Sequence, residues 1–153
     1  MSAARSHKNK MTQAREVSLQ ELVSRLQLPT QDISLLNRAF THTSYANEHK
    51  SKKIQHNQRL EFLGDAVLDL IVGEHLFKTY PQMTEGELTK IKAATDCEDS
   101  LASCSRALGL GEYLLLGHGE NSSGGRRRNS ILADTFECLV GCIYISTDYA
   151  TAM

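Results

Sequence analysis

Apolar residues recur at three- and four-residue intervals along nearly the whole chain, and no stretch alternates at the two-residue period of a half-buried strand. The longest run, from about Asn57 to Phe77, carries Leu60, Phe62, Leu63, Val67, Leu70 and Ile71, with Tyr80–Pro81 beyond its end. A second strong helix is predicted from near Asn129 through Ile131, Leu132, Phe136, Leu139, Val140 and Ile143. Ser18 with Glu21 reads as a capping box, followed by Leu19, Leu22, Val23 and Leu26 up to Pro29. A short helix is expected from about Asp32 to Phe40. Thr84 with Glu87 reads as another box, opening a helix that carries Leu88, Ile91 and Leu101. Thr41 to Gln55 is polar and loop-like, and Ala107 to Gly125 holds six of the ten glycines and reads as turns. The fold class implied is all-α, and 153 residues suffice for one hydrophobic core.

Residues 1–16 are basic and polar, without the apolar stretch of a secretory signal; they read as a flexible tail, an organelle address being the alternative. Residues 17–153 then form the single domain. No apolar run approaches the roughly 20 residues that span a bilayer, so no membrane is expected. Cys97, Cys104, Cys138 and Cys142 lack CxxC spacing and sit among apolar residues. They are expected to be reduced and buried, which points to the cytoplasm and away from a zinc site. The net charge of −1 does not announce a nucleic-acid binder. Two local clusters do more: Lys50, Lys52 and Lys53, and Arg126, Arg127 and Arg128 behind Gly124–Gly125. Each fits either a solvated loop or a phosphate contact.

The long central helix contains acids its core does not need. Glu61 and Asp65 are four apart and lie one turn from each other on one face, with Gln58 and Asp69 on the same stripe. Like charges so spaced destabilise a helix by a few tenths of a kcal/mol and cost more when desolvated, unless a cation neutralises them. The last helix repeats the pattern: Asp134 and Glu137, three apart, stand between Leu132, Phe136, Leu139 and Val140. Two acidic pairs on two apolar helices fit a shared hard-oxygen site for Mg²⁺ or Mn²⁺. They equally fit pairs that face solvent or bond an arginine such as Arg59 or Arg128, and spacing alone names no substrate. A di-iron bundle needs Glu-x-x-His on two helices, and none of the six histidines follows a glutamate by three. No G-x-S-x-G occurs, and GHGENSSGG lacks the Lys-Ser/Thr ending of a P-loop.

The segment Asn57 to Leu68, NQRLEFLGDAVL, closely resembles the signature helix of the ribonuclease III family. It has company in the family's order: FTHTSYANE at Phe40 to Glu48, TEGELTKIKA at Thr84 to Ala93 and GGRRRNSILADTFECLVGCIY at Gly124 to Tyr144. The resemblance spans roughly Leu19 to Tyr149. It implies that Glu61, Asp134 and Glu137 bind metal, that Asp65 completes the catalytic cluster with Glu137, and that Mg²⁺ is the cofactor, with Mn²⁺ able to substitute. It further implies hydrolysis of both strands of double-stranded RNA to 5′-phosphate and 3′-hydroxyl ends, by water that Asp65 helps orient. The partner implied is a second copy of the chain, with Leu60, Phe62 and Leu63 of the signature helix at the homodimer interface; in the bland alternative they are ordinary monomer core. Ribosomal and other RNA processing is the family's usual work. Recognition of A-form RNA would rest on shape, with the two basic clusters on phosphates.

Two features depart from the family pattern. Gln58 stands where many members carry a glutamate, which removes a charge from a possible second metal position. Glu85 matches a further acid near the RNA cleft or second metal, although an acid in a first helical turn is also explained by the helix dipole. Full bacterial members continue through a final helix and a linker into a double-stranded-RNA-binding domain, neither of which is expected within these 153 residues. The competing reading is a non-catalytic RNA-binding or scaffold protein of the same fold, against which the intact Glu61, Asp65, Asp134 and Glu137 argue.

Overall fold

In the computed structural model, which describes residues 11–153, the regular structure among those residues is helical apart from one parallel bridge between Thr41 and Leu115. Helix α1 (Gln13–Leu26) is capped by Thr12, whose Oγ1 accepts from the Arg15 amide at 3.3 Å. The Ser18–Glu21 box therefore does not form, and Ser18 lies inside the helix. Residues 13–16, assigned by sequence to the tail, are its first turn; residues 1–10 of that tail lie outside the described residues. Tertiary anchoring explains the earlier start: Arg15 Nε donates to Asn37 Oδ1 at 2.8 Å and Nη1 to the Tyr113 carbonyl at 2.7 Å.

Helix α2 (Ile33–Ala39) is followed by α3 (Thr43–Glu48) and a 3₁₀ turn (Lys50–Lys52), within the segment expected to be a loop. The polar sequence gave no helical signal because only Ala46 of α3 is buried. Contacts with the glycine-rich segment hold α3: the Gly117 amide donates to Ser44 Oγ at 2.9 Å and the His118 amide to Glu48 Oε2 at 2.9 Å.

Helix α4 (Gln58–Thr79) is the long helix expected from sequence, and α5 (Glu85–Thr95) opens with the predicted Thr84–Glu87 capping box. The helix expected to continue to Leu101 breaks instead, and α6 (Glu98–Ala107) starts after Cys97 in extended backbone. Ser100 Oγ donates to the Ala94 carbonyl at 2.9 Å, taking up an oxygen that a continuous helix would have used itself. A 3₁₀ turn (Leu110–Tyr113), α7 (His118–Ser122) and another 3₁₀ turn (Gly125–Arg127) lead to α8 (Asn129–Ser146) and the short α9 (Tyr149–Ala152).

The core gathers Leu19 and Leu22 of α1, Leu36 of α2 with Phe40, Leu60 of α4, Leu110, Leu114 and Leu116, and Ile131, Cys138, Leu139 and Cys142 of α8. Helix α8 is the central element, packed against α4 on one side and α6 on another. Cys97, at the N-terminal cap of α6, and Cys104, on its outer face, are exposed, contrary to expectation; all four cysteines are free of disulfides. No helix among the described residues is long and apolar enough to cross a membrane.

Candidate metal centre

Two glycines set how α4 and α8 meet. A Cβ on Gly64 would stand 1.8 Å from the Glu137 carbonyl oxygen, and one on Gly141 would stand 2.6 Å from that of Leu60. The backbones therefore touch directly, as only glycine permits. Gly64 lies between Glu61 and Asp65, and Gly141 is one turn beyond Glu137, so the point of closest approach brings the two acidic pairs together. Buried Asn57 fixes the start of α4: its amide donates to the Thr41 carbonyl at 2.9 Å, and its own carbonyl accepts from Cys138 Sγ at 3.6 Å. Neither glycine nor Asn57 was singled out from the sequence as part of the site; a small residue at matching depth on each acid-bearing helix was the available signal.

Glu61, Asp134 and Glu137 each present one carboxylate oxygen, and these atoms lie within 4.8 Å of one another at half-buried positions. The ion pairs among the described residues, Lys78–Glu74, Lys92–Asp69, Lys92–Asp96 and Arg128–Glu120, all leave this group out. Arg128, offered from sequence as a neutralising partner, is thus committed elsewhere. Burial pushes the Glu137 carboxyl up to about 7, with the charges of Asp65, Asp134, Glu61 and Asp69 adding to the effect. Glu61 is raised by burial and then by Asp134 and Asp65. Asp134 is raised by burial and then by Glu98, an acid in the first turn of α6 that sequence spacing did not connect to the site. A hard-oxygen donor set, mutually repelling, partly desolvated and without a cation, fits a divalent metal.

Asp65 is exposed and outside the close group, yet its charge acts on both Glu61 and Glu137. Asp69 is held by Lys92. Gln58 is the exposed first residue of α4 and Glu85 the exposed first residue of α5; neither joins the close group, and Glu85 Oε1 accepts from Thr89 Oγ1 at 3.0 Å. Lys50, Lys52 and Lys53 are exposed in or beside their 3₁₀ turn. The arginine run divides. Arg126 braces the loop through Asn121 Oδ1 at 2.8 Å and the Gly111 carbonyl at 3.0 Å. Arg128 bonds Glu120 and, at 3.1 Å, Ser123 Oγ, while Arg127 is exposed. In the signature segment Leu60 is buried in the chain's own core, Leu63 is half-buried and Phe62 is 80% exposed.

A family model described as Ribonuclease-III-like matches residues 32–153. Ribonuclease 3 of Geobacillus thermodenitrificans is 47% identical over 138 residues, covering 90% of this chain and 56% of that protein. Ribonuclease 3 of Natranaerobius thermophilus is 56% identical over 118 residues, covering 77% and 51% respectively. The chain thus spans about half the length of the curated relatives it matches. Among solved structures, the nuclease domain of ribonuclease III from Campylobacter jejuni, noted for structural flexibility in the region involved in dimer formation, superposes with a TM-score of 0.80. It is 40% identical, and the match covers 88% of this chain and 90% of that one. The crossed acidic helices thus stand in a chain whose sequence and fold are alike in their relatives, and it belongs to the ribonuclease III family.

Proposed function

We propose that this chain is a metal-dependent endonuclease domain that hydrolyses phosphodiester bonds in double-stranded RNA, leaving 5′-phosphate and 3′-hydroxyl ends. The observation that carries the reading is the meeting of Glu61, Asp134 and Glu137 within 4.8 Å, half-buried and without a cationic partner. These three residues would hold the cation, Mg²⁺ or in its place Mn²⁺. A bound divalent ion at such a site lowers the pKa of water and offsets charge developing on a phosphoryl group. Asp65, beside the group and exposed, orients the attacking water in line with the phosphate and accepts its hydrogen bond. Gln58 adds an amide and no charge, and Glu85 is the accessory acid of the proposed RNA cleft or second metal position. Arg127, exposed while Arg126 and Arg128 are engaged by the loop, is the arginine of its run that would contact phosphate. The lysines at 50–53 supply the second basic cluster.

The chain acts as a homodimer through the face of α4 that carries Phe62. Four unpaired cysteines suit a reducing cytoplasm, and precursor ribosomal RNA is the default duplex. The test is incubation of the purified chain with a long RNA duplex at low salt, first with Mg²⁺ and then with EDTA. Cleavage with Mg²⁺ and none with EDTA is expected; intact duplex under both conditions sinks the enzymatic reading.

A further inference from the structure

Asp69 continues the stripe of acids on α4, one turn beyond Asp65, yet the structure directs it elsewhere. Lys92, in the last turn of α5, bonds the Asp69 carboxylate with one hydrogen and that of Asp96 with another at 2.9 Å. Among the ion pairs of the described residues, this pair alone joins α4 to α5. Lys92 and Asp69 keep 32% and 52% of their side-chain surface in water, so the pair itself adds little to folding stability. Its consequence is the placement of charge. We infer that Lys92 is a positioning residue that holds Asp69 out of the acidic centre, keeping the ligand set at three carboxylates and limiting the negative charge that meets the RNA phosphate. This rests on the reading of the centre as a metal-dependent nuclease site.

The inference makes two effects of opposite sign. Without the Lys92 ammonium, the charge of Asp69, which already acts on Glu137, stands uncompensated. Extra negative charge attracts a cation and repels a phosphate. A merely structural lysine would weaken both kinds of binding when removed, because both need the α4–α8 geometry.

The experiment titrates metal-free protein with Mn²⁺ by calorimetry and measures KM for a long RNA duplex. For Lys92→Met, half-saturating Mn²⁺ is expected to fall and KM to rise, each by about three- to tenfold at low salt, with the differences shrinking at high salt. Adding Asp69→Asn to that variant returns both quantities to near the wild-type values, and Lys92→Arg leaves them close to wild type. Should Lys92→Met not fold, Lys92→Gln replaces it. A folded Lys92 variant that loses Mn²⁺ and RNA affinity together, or one that Asp69→Asn does not restore, overturns the inference, as does failure of both variants to fold. A wild-type protein that binds no Mn²⁺ sinks the reading of the centre and this inference with it. Binding and cleavage by the wild type, with Lys92 variants that fail the pattern, sink the inference alone.

Discussion

Glu137 concentrates the unfavourable electrostatics of the centre in one side chain, which makes its removal informative in two ways. Its carboxyl is pushed from 4.5 up to about 7 by burial first and neighbouring acids second. An acid raised in the folded state holds its proton more tightly there than in the unfolded chain. Its contribution to stability is complete below about 4.5 and is lost as pH rises through about 7. Glu61 and Asp134 shift in the same direction. Asp69, Glu74, Glu87 and Asp148 lie below their ordinary values of 3.8 or 4.5, so their contributions are essentially complete throughout that window and fade only at lower pH. His42, held down by burial first, acts in the opposite sense, costing stability as pH falls below 6.5. Comparison with Glu137→Gln cancels these other groups. The metal-free wild type should melt progressively lower than Glu137→Gln as pH is raised from 4.5 to 8, and excess Mg²⁺ should close the gap. Metal at about 100 times its Kd would add about 2.7 kcal/mol to the wild type. The same variant should lose Mg²⁺-dependent cleavage by at least about a hundredfold while still binding duplex RNA. A gap between the two melting curves that stays flat with pH would show that the Glu137 carboxyl is not desolvated as described; normal cutting by the variant would remove it from the metal set.

At the scale of elements, the α4–α8 crossing couples stability to chemistry, because the contact that joins the helices also aims their acids. Gly64→Ala places a methyl group 1.8 Å from a carbonyl oxygen that cannot retreat without moving α8. It should cost about 3 kcal/mol in chemical denaturation, and the part of the chain that stays folded should bind Mn²⁺ more weakly. Gly86→Ala, with nothing within 4 Å of the added Cβ, should be neutral or slightly stabilising. Gly64→Ala protein of wild-type stability would mean that the helices meet differently. This crossing also marks how far the sequence could be read. Helices α4 and α8 were legible because each carries apolar residues at helical spacing over many turns, and the acids stood out against that background. Helix α3 was not, since its order comes from distant hydrogen bonds to Gly117 and His118 rather than from an apolar stripe. The Ser18–Glu21 pattern misled because Ser-x-x-Glu sits as easily inside a helix as at its start, and the true start depends on Arg15 reaching Asn37 and Tyr113. Glu98 was invisible for a related reason. Its effect on Asp134 depends on the break at Cys97, which the sequence pattern ran through.

At the scale of the whole molecule, α4 has one face in the chain's core and another left exposed by the described residues. Steps of four, four and seven residues put Phe62, Ala66, Leu70 and Phe77 on one stripe of the helix. Phe62 is 80% exposed, Leu70 57% and Phe77 74%. A monomer seldom leaves two phenylalanines and a leucine aligned in water, and burying one aromatic side chain removes about 150–250 Å² from solvent. At about 25 cal/mol per Å², each phenylalanine gains several kcal/mol when a second copy covers it. In the proposed homodimer, a two-fold axis close to this stripe would pair it with itself and bury both copies of Phe62. The proposed cutting of both strands of a duplex would then draw one centre from each copy. Phe62→Asp should therefore sediment as a monomer at concentrations where the wild type is a dimer, with unchanged helical circular dichroism because the side chain touches little of its own core. The variant should keep Mn²⁺ binding, as Glu61, Asp134 and Glu137 come from one chain, and lose paired cutting of the two strands. A wild-type chain that sediments as a monomer at every concentration, or a Phe62→Asp dimer, would place the second copy elsewhere and leave this stripe unexplained.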